Sequence, residues 1–165
     1  MANAAFHTIR ETARRLRDEN GLSFSIATIC EREQFPLAPI PQTQVITQQV
    51  ASDLVEKHTL AKYPLVYVYC DRLQNTLREK FRTFSGLASM TAEVRVSHEH
   101  LPDVEKTLQL YVEAVTNVLD LNRGTWSDGL YYAGGYEIQF GAIKQGGKQF
   151  LQTAKVRFDV NVSID

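Results

Sequence analysis

Residues 150–165 read FLQTAKVRFDVNVSID, and their alternation decides the fold. Phe150, Ala154, Val156, Phe158, Val160, Val162 and Ile164 share one parity, broken only by Gln152. Thr153, Lys155, Arg157, Asp159, Asn161, Ser163 and Asp165 occupy the other. A period of two over such a length is a β-strand with one apolar and one polar face. At ~3.3 Å per residue the strand from Phe150 to Ile164 spans about 50 Å, far beyond the usual five or six residues. A small domain has difficulty covering so long an apolar face, so part of it is expected against another subunit.

Working back from this strand, Lys144-Gln-Gly-Gly-Lys148 reads as a turn. Before it, Tyr136, Ile138, Phe140 and Ala142 alternate with Glu137, Gln139 and Gly141, which completes a C-terminal β-hairpin. A helix is expected from about Pro102 to Leu121, since proline suits the first helical position and Asp103 and Glu105 suit the positive end of the dipole. Val104, Leu108, Tyr111, Val112, Val115, Val118 and Leu119 give it a wide apolar face, and Asn122-Arg123-Gly124 closes it.

Two further strands precede this helix. Pro64 to Cys70 is rich in β-branched and aromatic residues, with proline where no ladder bond is lost. Residues 71–86 are polar and end in a Ser85-Gly86 turn signal. Then Ala88, Met90, Ala92, Val94 and Val96 alternate with Ser89, Thr91, Glu93, Arg95 and Ser97.

Towards the N-terminus, Phe6, Ile9, Ala13 and Leu16 form one stripe of a helix over residues 3–19, stopped at Gly21. Leu22, Phe24 and Ile26 alternate with serines and predict a short strand. Residues 31–44 predict an extended arm, because Pro36, Pro39 and Pro41 block helix and ladder alike. Phe35, Leu37 and Ile40 give that arm apolar anchors, which dock on its own domain or on a neighbour. A second helix is expected over residues 45–58. The whole is read as a single α+β domain over 1–165: a mostly antiparallel sheet with a long C-terminal β-hairpin, packed against one long helix and an N-terminal helix.

Composition sets the limits on function. Apolar residues make up 44% and charged residues 22%, an ordinary globular mixture. Eighteen Lys and Arg against nineteen Asp and Glu leave a net charge of −1, which argues against a dedicated nucleic-acid binder. No run reaches the ~18 apolar residues of a membrane span, and no basic-then-apolar leader opens the chain. Two cysteines, Cys30 and Cys70, are no disulfide framework and fit free thiols in a reducing cytoplasm.

The search for chemistry returns no catalytic constellation. Gly141 to Lys148 faintly imitates a phosphate loop, but its glycines are misplaced and it joins two strands rather than a strand and a helix. His98 and His100, with Glu99 and Asp103 nearby, lack a third well-placed ligand and read as a polar strand end. Cys70 beside Asp71 has no helix N-terminus or histidine to activate it. Trp126, in a Gly-bounded loop, is either a contact anchor or a ring folded onto its own core. The run Arg78, Lys80 and Arg82, interleaved with Phe81 and Phe84, is too short for a nucleic-acid groove.

The order of segments nevertheless resembles one family. KYPLVYVYCDRLQN (62–75) leads through a loop to FRTFSGLASMTAEVRVS (81–97). DVEKTLQLYVEAVTNVLDLN (103–122) follows, then the Trp126 loop and YYAGGYEIQFGAIKQGGKQFLQTAKVRFDVNVSID (131–165). Together these resemble the tail terminator, or tail completion, proteins of tailed bacteriophages, over about residues 62–165. The resemblance implies a structural virion protein of the tail or neck, not an enzyme, needing no cofactor and no metal. It implies a homo-oligomeric ring, a hexamer in the family, assembled in the host bacterial cytoplasm. That ring caps the tail tube protein, stops polymerisation and offers a surface to the head connector. In a contractile tail it also meets the sheath, and DNA passes through its lumen without sequence-specific contact.

Subunit or tube contacts are then expected among Phe35, Leu37 and Ile40 of the arm, Arg78, Lys80 and Arg82, Trp126, and Lys155, Arg157, Phe158 and Val160 of the last strand. Two other readings stay open: a head–tail adaptor or minor tail protein, and a small cytosolic enzyme using His98, His100 or Cys70.

Overall fold

A computed structural model of the protein describes residues 3–51 and 62–165. In chain order these form α1 (Ala4–Arg17), α2 (Leu22–Glu33), β1 (Val45–Ile46), β2 (Leu65–Asn75), β3 (Phe84–His98) and α3 (Leu101–Leu121). Five strands complete the chain: β4 (Gly124–Ser127), β5 (Leu130–Tyr132), β6 (Glu137–Phe140), β7 (Lys144–Gly146) and β8 (Gln149–Ile164). The sheet runs in the order β1-β2-β3-β8-β5-β4, with β6 and β7 also on β8. Every pairing is antiparallel except β1 with β2. The α+β architecture read from the sequence is the one observed.

The last strand is the spine of this sheet. One of its edges pairs with β3 from Phe84 opposite Ile164 to His98 opposite Phe150. Its other edge is shared by β7, β6 and β5 in succession. The apolar parity faces the helices, and Ala154, Val156, Phe158, Val160 and Val162 are all buried. The face expected in part against another subunit is thus covered along its middle by the chain's own elements, with Phe150 and Ile164 at its two ends half-buried. At 1.5 Å per residue α3 is about 30 Å long, and it lies across β3 and β8. Beyond its end Trp126 and Tyr132 pack on Phe158, with ring centroids 6.3 and 5.7 Å from it.

Gln152, which breaks the parity, marks an irregularity in the hairpin. Between β6 and β7 the register on β8 slips by one residue. There the Gly141 amide donates to the Thr153 carbonyl at 2.8 Å, and the buried Gln152 amide donates to the Gly141 carbonyl at 2.9 Å. A polar side chain thus faces inward because a kinked partner strand presents it with an acceptor.

Five other expectations change. Trp126 lies in strand β4 rather than in a loop, and Lys144–Gly146 pair with β8 as β7, which leaves Gly147 and Lys148 as the turn. Residues 22–33 are helical rather than a strand, because Leu22, Ile26 and Ile29 share a helical face that is buried, whereas Phe24 is 57% exposed. Gly21 separates α1 from α2, and a Cβ there would lie 2.3 Å from the Arg15 carbonyl oxygen. Val45 and Ile46 form a strand beside Val66 and Tyr67, residues 47–51 carry no helix, and the rest of the expected second helix lies outside the described residues. The polar stretch 71–86 is half strand: β2 continues to Asn75 and β3 begins at Phe84. Gly86 belongs to β3 rather than to a turn, since a Cβ at that position would lie 1.8 Å from the Gln74 carbonyl oxygen.

The proline-rich arm begins after α2, at Gln34, and reaches Pro41 without regular structure. It lies on its own domain. Ile40 is buried in the main core, and the Tyr111 hydroxyl donates to the Ala38 carbonyl at 2.5 Å. The Lys106 ammonium sits 4.5 Å from the centre of the Phe35 ring. No helix of the described residues is long and apolar enough to cross a membrane.

Candidate interaction surface

The loop between β2 and β3, residues 76–83, carries the basic run and is built rather than loose. Asn75 organises its base: its side-chain oxygen accepts from the amides of Leu77 and Ser85 at 3.2 and 3.0 Å. Its side-chain amide donates to the Thr83 carbonyl at 3.1 Å. Ser85 receives the Glu79 amide on its hydroxyl at 3.1 Å. The Ser163 hydroxyl donates to the Glu79 carboxylate at 2.8 Å. Arg82 closes the loop onto the end of the chain, 3.0 Å from Asp165.

This scaffold holds two apolar side chains in water. Leu77 is 63% exposed and Phe81 is 99% exposed. Both have left-handed backbones, at φ 48° and 68°, a conformation that costs a non-glycine residue about 1–2 kcal/mol. Arg78 and Lys80 are exposed beside them and form no ion pair among the described residues. Beside the loop a groove of about 320 Å³ crosses the sheet end, lined by Arg78, Ser85, Tyr131, Asn161 and Ser163 among others. The sequence singled out the basic residues here but passed over Leu77, whose one signal is an apolar residue alone in a polar run.

The other expected contact residues are dispersed. Ile40, Trp126, Phe158 and Val160 are buried in the chain's own core and present no contact surface. Trp126 settles as a core ring, 6% exposed, whose indole N–H donates to the Asn122 carbonyl at 2.6 Å. Arg15 stacks over it at 4.6 Å and donates to its carbonyl at 2.8 Å. Phe35 and Leu37 are half-buried against the same core. Lys155 and Arg157 lie on the opposite face of the sheet. Arg157 lines a shallow groove of about 660 Å³ together with Asp71, Arg72, Glu137 and Asp159.

That opposite face buries two charged residues of the polar parity of β3. Glu93 and Arg95 are both buried and joined side by side, with Arg95 Nε donating to Glu93 Oε2 at 2.7 Å. The guanidinium stacks 4.3 Å from the Tyr67 ring centre, and Tyr69 donates to Glu93 at 3.4 Å. Burial, then the Glu93 and Asp71 charges, push the Tyr69 hydroxyl well above the usual tyrosine range.

The candidate nucleophile and ligands stand apart from this surface. Burial pushes the Cys70 thiol up, the opposite of activation, and its Sγ donates to the Arg72 carbonyl at 3.4 Å. The His98 and His100 rings are 5.7 Å apart. His98 Nδ1 accepts the His100 amide at 3.0 Å, joining the end of β3 to the start of α3. Among the described residues no three His, Cys, Asp or Glu side chains gather as a metal site. Compared with protein-family models and with curated proteins, the chain matches none.

Proposed function

We propose that this chain is a structural virion protein of the tail-terminator type, forming a ring that ends the tail tube and meets the head connector. The observation that carries the reading is the arrangement of residues 62–165. Two long antiparallel strands are crossed by one long helix, and the short β4–β5 pair, anchored by Trp126, leads to a hairpin whose return strand runs the length of β3. The built loop supports it: specific hydrogen bonds brace the loop that carries Leu77 and Phe81 in solvent, the form of a surface made for protein contact. The near-neutral charge suits a lumen that DNA passes without being gripped. The partners proposed are other copies of the chain, the tail tube, the head connector and, in a contractile tail, the sheath.

The test is to add purified protein to tail tubes growing in vitro and view their ends by electron microscopy. Ring density at one end with arrested growth is the expected result. Tubes that grow on with bare ends overturn the reading, and binding to head connectors alone moves the chain to the adaptor class.

A further inference from the structure

We propose that the β2–β3 loop docks on a second copy of this chain, at the turn joining β3 to α3, so that copies join head to tail. The inference rests on the ring reading above, for which it names the contact.

Both patches have an apolar centre and unpaired charges of opposite sign. The loop offers Phe81 and Leu77 flanked by Arg78 and Lys80. The turn offers Leu101, 48% exposed, among Glu99, Asp103 and Glu105. None of these five charged side chains forms an ion pair among the described residues. Of the lysines at this end, Lys106 lies over the Phe35 ring. Lys144, opposite Leu151, belongs to the other face of the sheet, and Lys148 sits in the adjoining hairpin turn. An apolar centre with a complementary charged rim is the usual anatomy of a specific contact.

The fold decides that the two patches meet between copies rather than within one. They stand at opposite ends of β3, whose 15 residues span about 50 Å at ~3.3 Å per residue. A contact between different patches of identical chains is heterologous. It generates a ring when the rotation closes and a filament when it does not.

Charge reversal reads this directly. Two variants, R78E/K80E and E99K/E105K, change exposed side chains, and an unchanged circular dichroism spectrum with a cooperative melt confirms that each folds. Association is followed by sedimentation velocity and mass photometry. The wild type is expected to form rings, and each variant alone to associate at least tenfold more weakly. An equimolar mixture of the two is expected to restore rings of alternating copies, because every loop then meets a turn of opposite charge. Phe81→Ala is expected to weaken wild-type rings with no change in charge.

Rings that survive both reversals overturn the docking and leave the ring reading standing. Variants that dissociate but stay apart when mixed overturn the head-to-tail pairing. A wild type that remains monomeric both alone and on tail tubes overturns both proposals.

Discussion

Trp126 shows how one side chain can tie an N-terminal helix to the C-terminal strands. Its ring touches Tyr132 and Phe158, its indole N–H is satisfied by Asn122, and Arg15 reaches over it from α1. Trp126→Ala removes all of these at once, and truncating a buried tryptophan typically costs about 3–5 kcal/mol. Urea denaturation followed by circular dichroism checks this; a loss under about 1 kcal/mol would mean the ring packs loosely. Glu11 gives a residue-scale prediction in pH. Burial opposes its ionisation, yet hydrogen bonds from Arg15 at 2.7 Å and Arg14 at 3.1 Å outweigh it and hold the carboxyl below its ordinary value. A depressed carboxyl binds its proton more readily when unfolded, so its stabilisation is full above the ordinary range near pH 4.3. That stabilisation is lost as pH falls through the lower folded value. Melting temperatures from pH 7 to 3 are expected to fall less steeply in Glu11→Gln than in the wild type.

Elements meet here through close backbone approaches that single substitutions can test. Gly86 lets β2 lie against β3 where a Cβ would meet the Gln74 carbonyl at 1.8 Å. Gly86→Ala is expected to destabilise by about 3 kcal/mol or more, since backbone atoms cannot yield as a side chain does. Hydrogen exchange is expected to show faster opening in 72–76 and 84–88 than in the rest of the sheet. The arm gives a second test at this scale. Ile40 and the Tyr111–Ala38 hydrogen bond make it part of the core. Ile40→Ala is therefore expected to cost about 2–5 kcal/mol. Replacing residues 35–40 with a Gly-Ser linker is expected to lower the melting temperature as well. An unchanged melt would show that the arm contributes nothing to its own domain.

For the whole molecule, the decisive fact is that β8 is covered on both edges and along its apolar face by the same chain. Oligomerisation is therefore not required to complete the core. Diluted until sedimentation shows only monomer, the chain is expected still to melt in one cooperative transition. A monomer without a cooperative melt would mean that a partner completes the core. Association, where it occurs, then draws on surface features such as the β2–β3 loop rather than on an unfinished interior.

The sequence by itself determined the parts governed by local period. The alternation from Phe150 to Ile164 gave β8, the stripe from Val104 to Leu119 gave α3, and the alternation from Ala88 to Val96 gave the centre of β3. Phe24 misled because three alternating apolar residues are too few to separate a strand from one face of a helix, and contacts with α3 made that segment α2. Glu93 and Arg95 sat on the polar parity of β3, yet Tyr67 and Tyr69 from another strand help bury them. Of the expected contact residues, Phe81's neighbours Arg78 and Lys80 remain on the surface while Trp126, Phe158 and Val160 are interior. Periodicity says which side chains share a face, because that depends on backbone geometry alone. Which faces are covered, and by what, depends on elements far apart in the chain, and only the tertiary structure decided it.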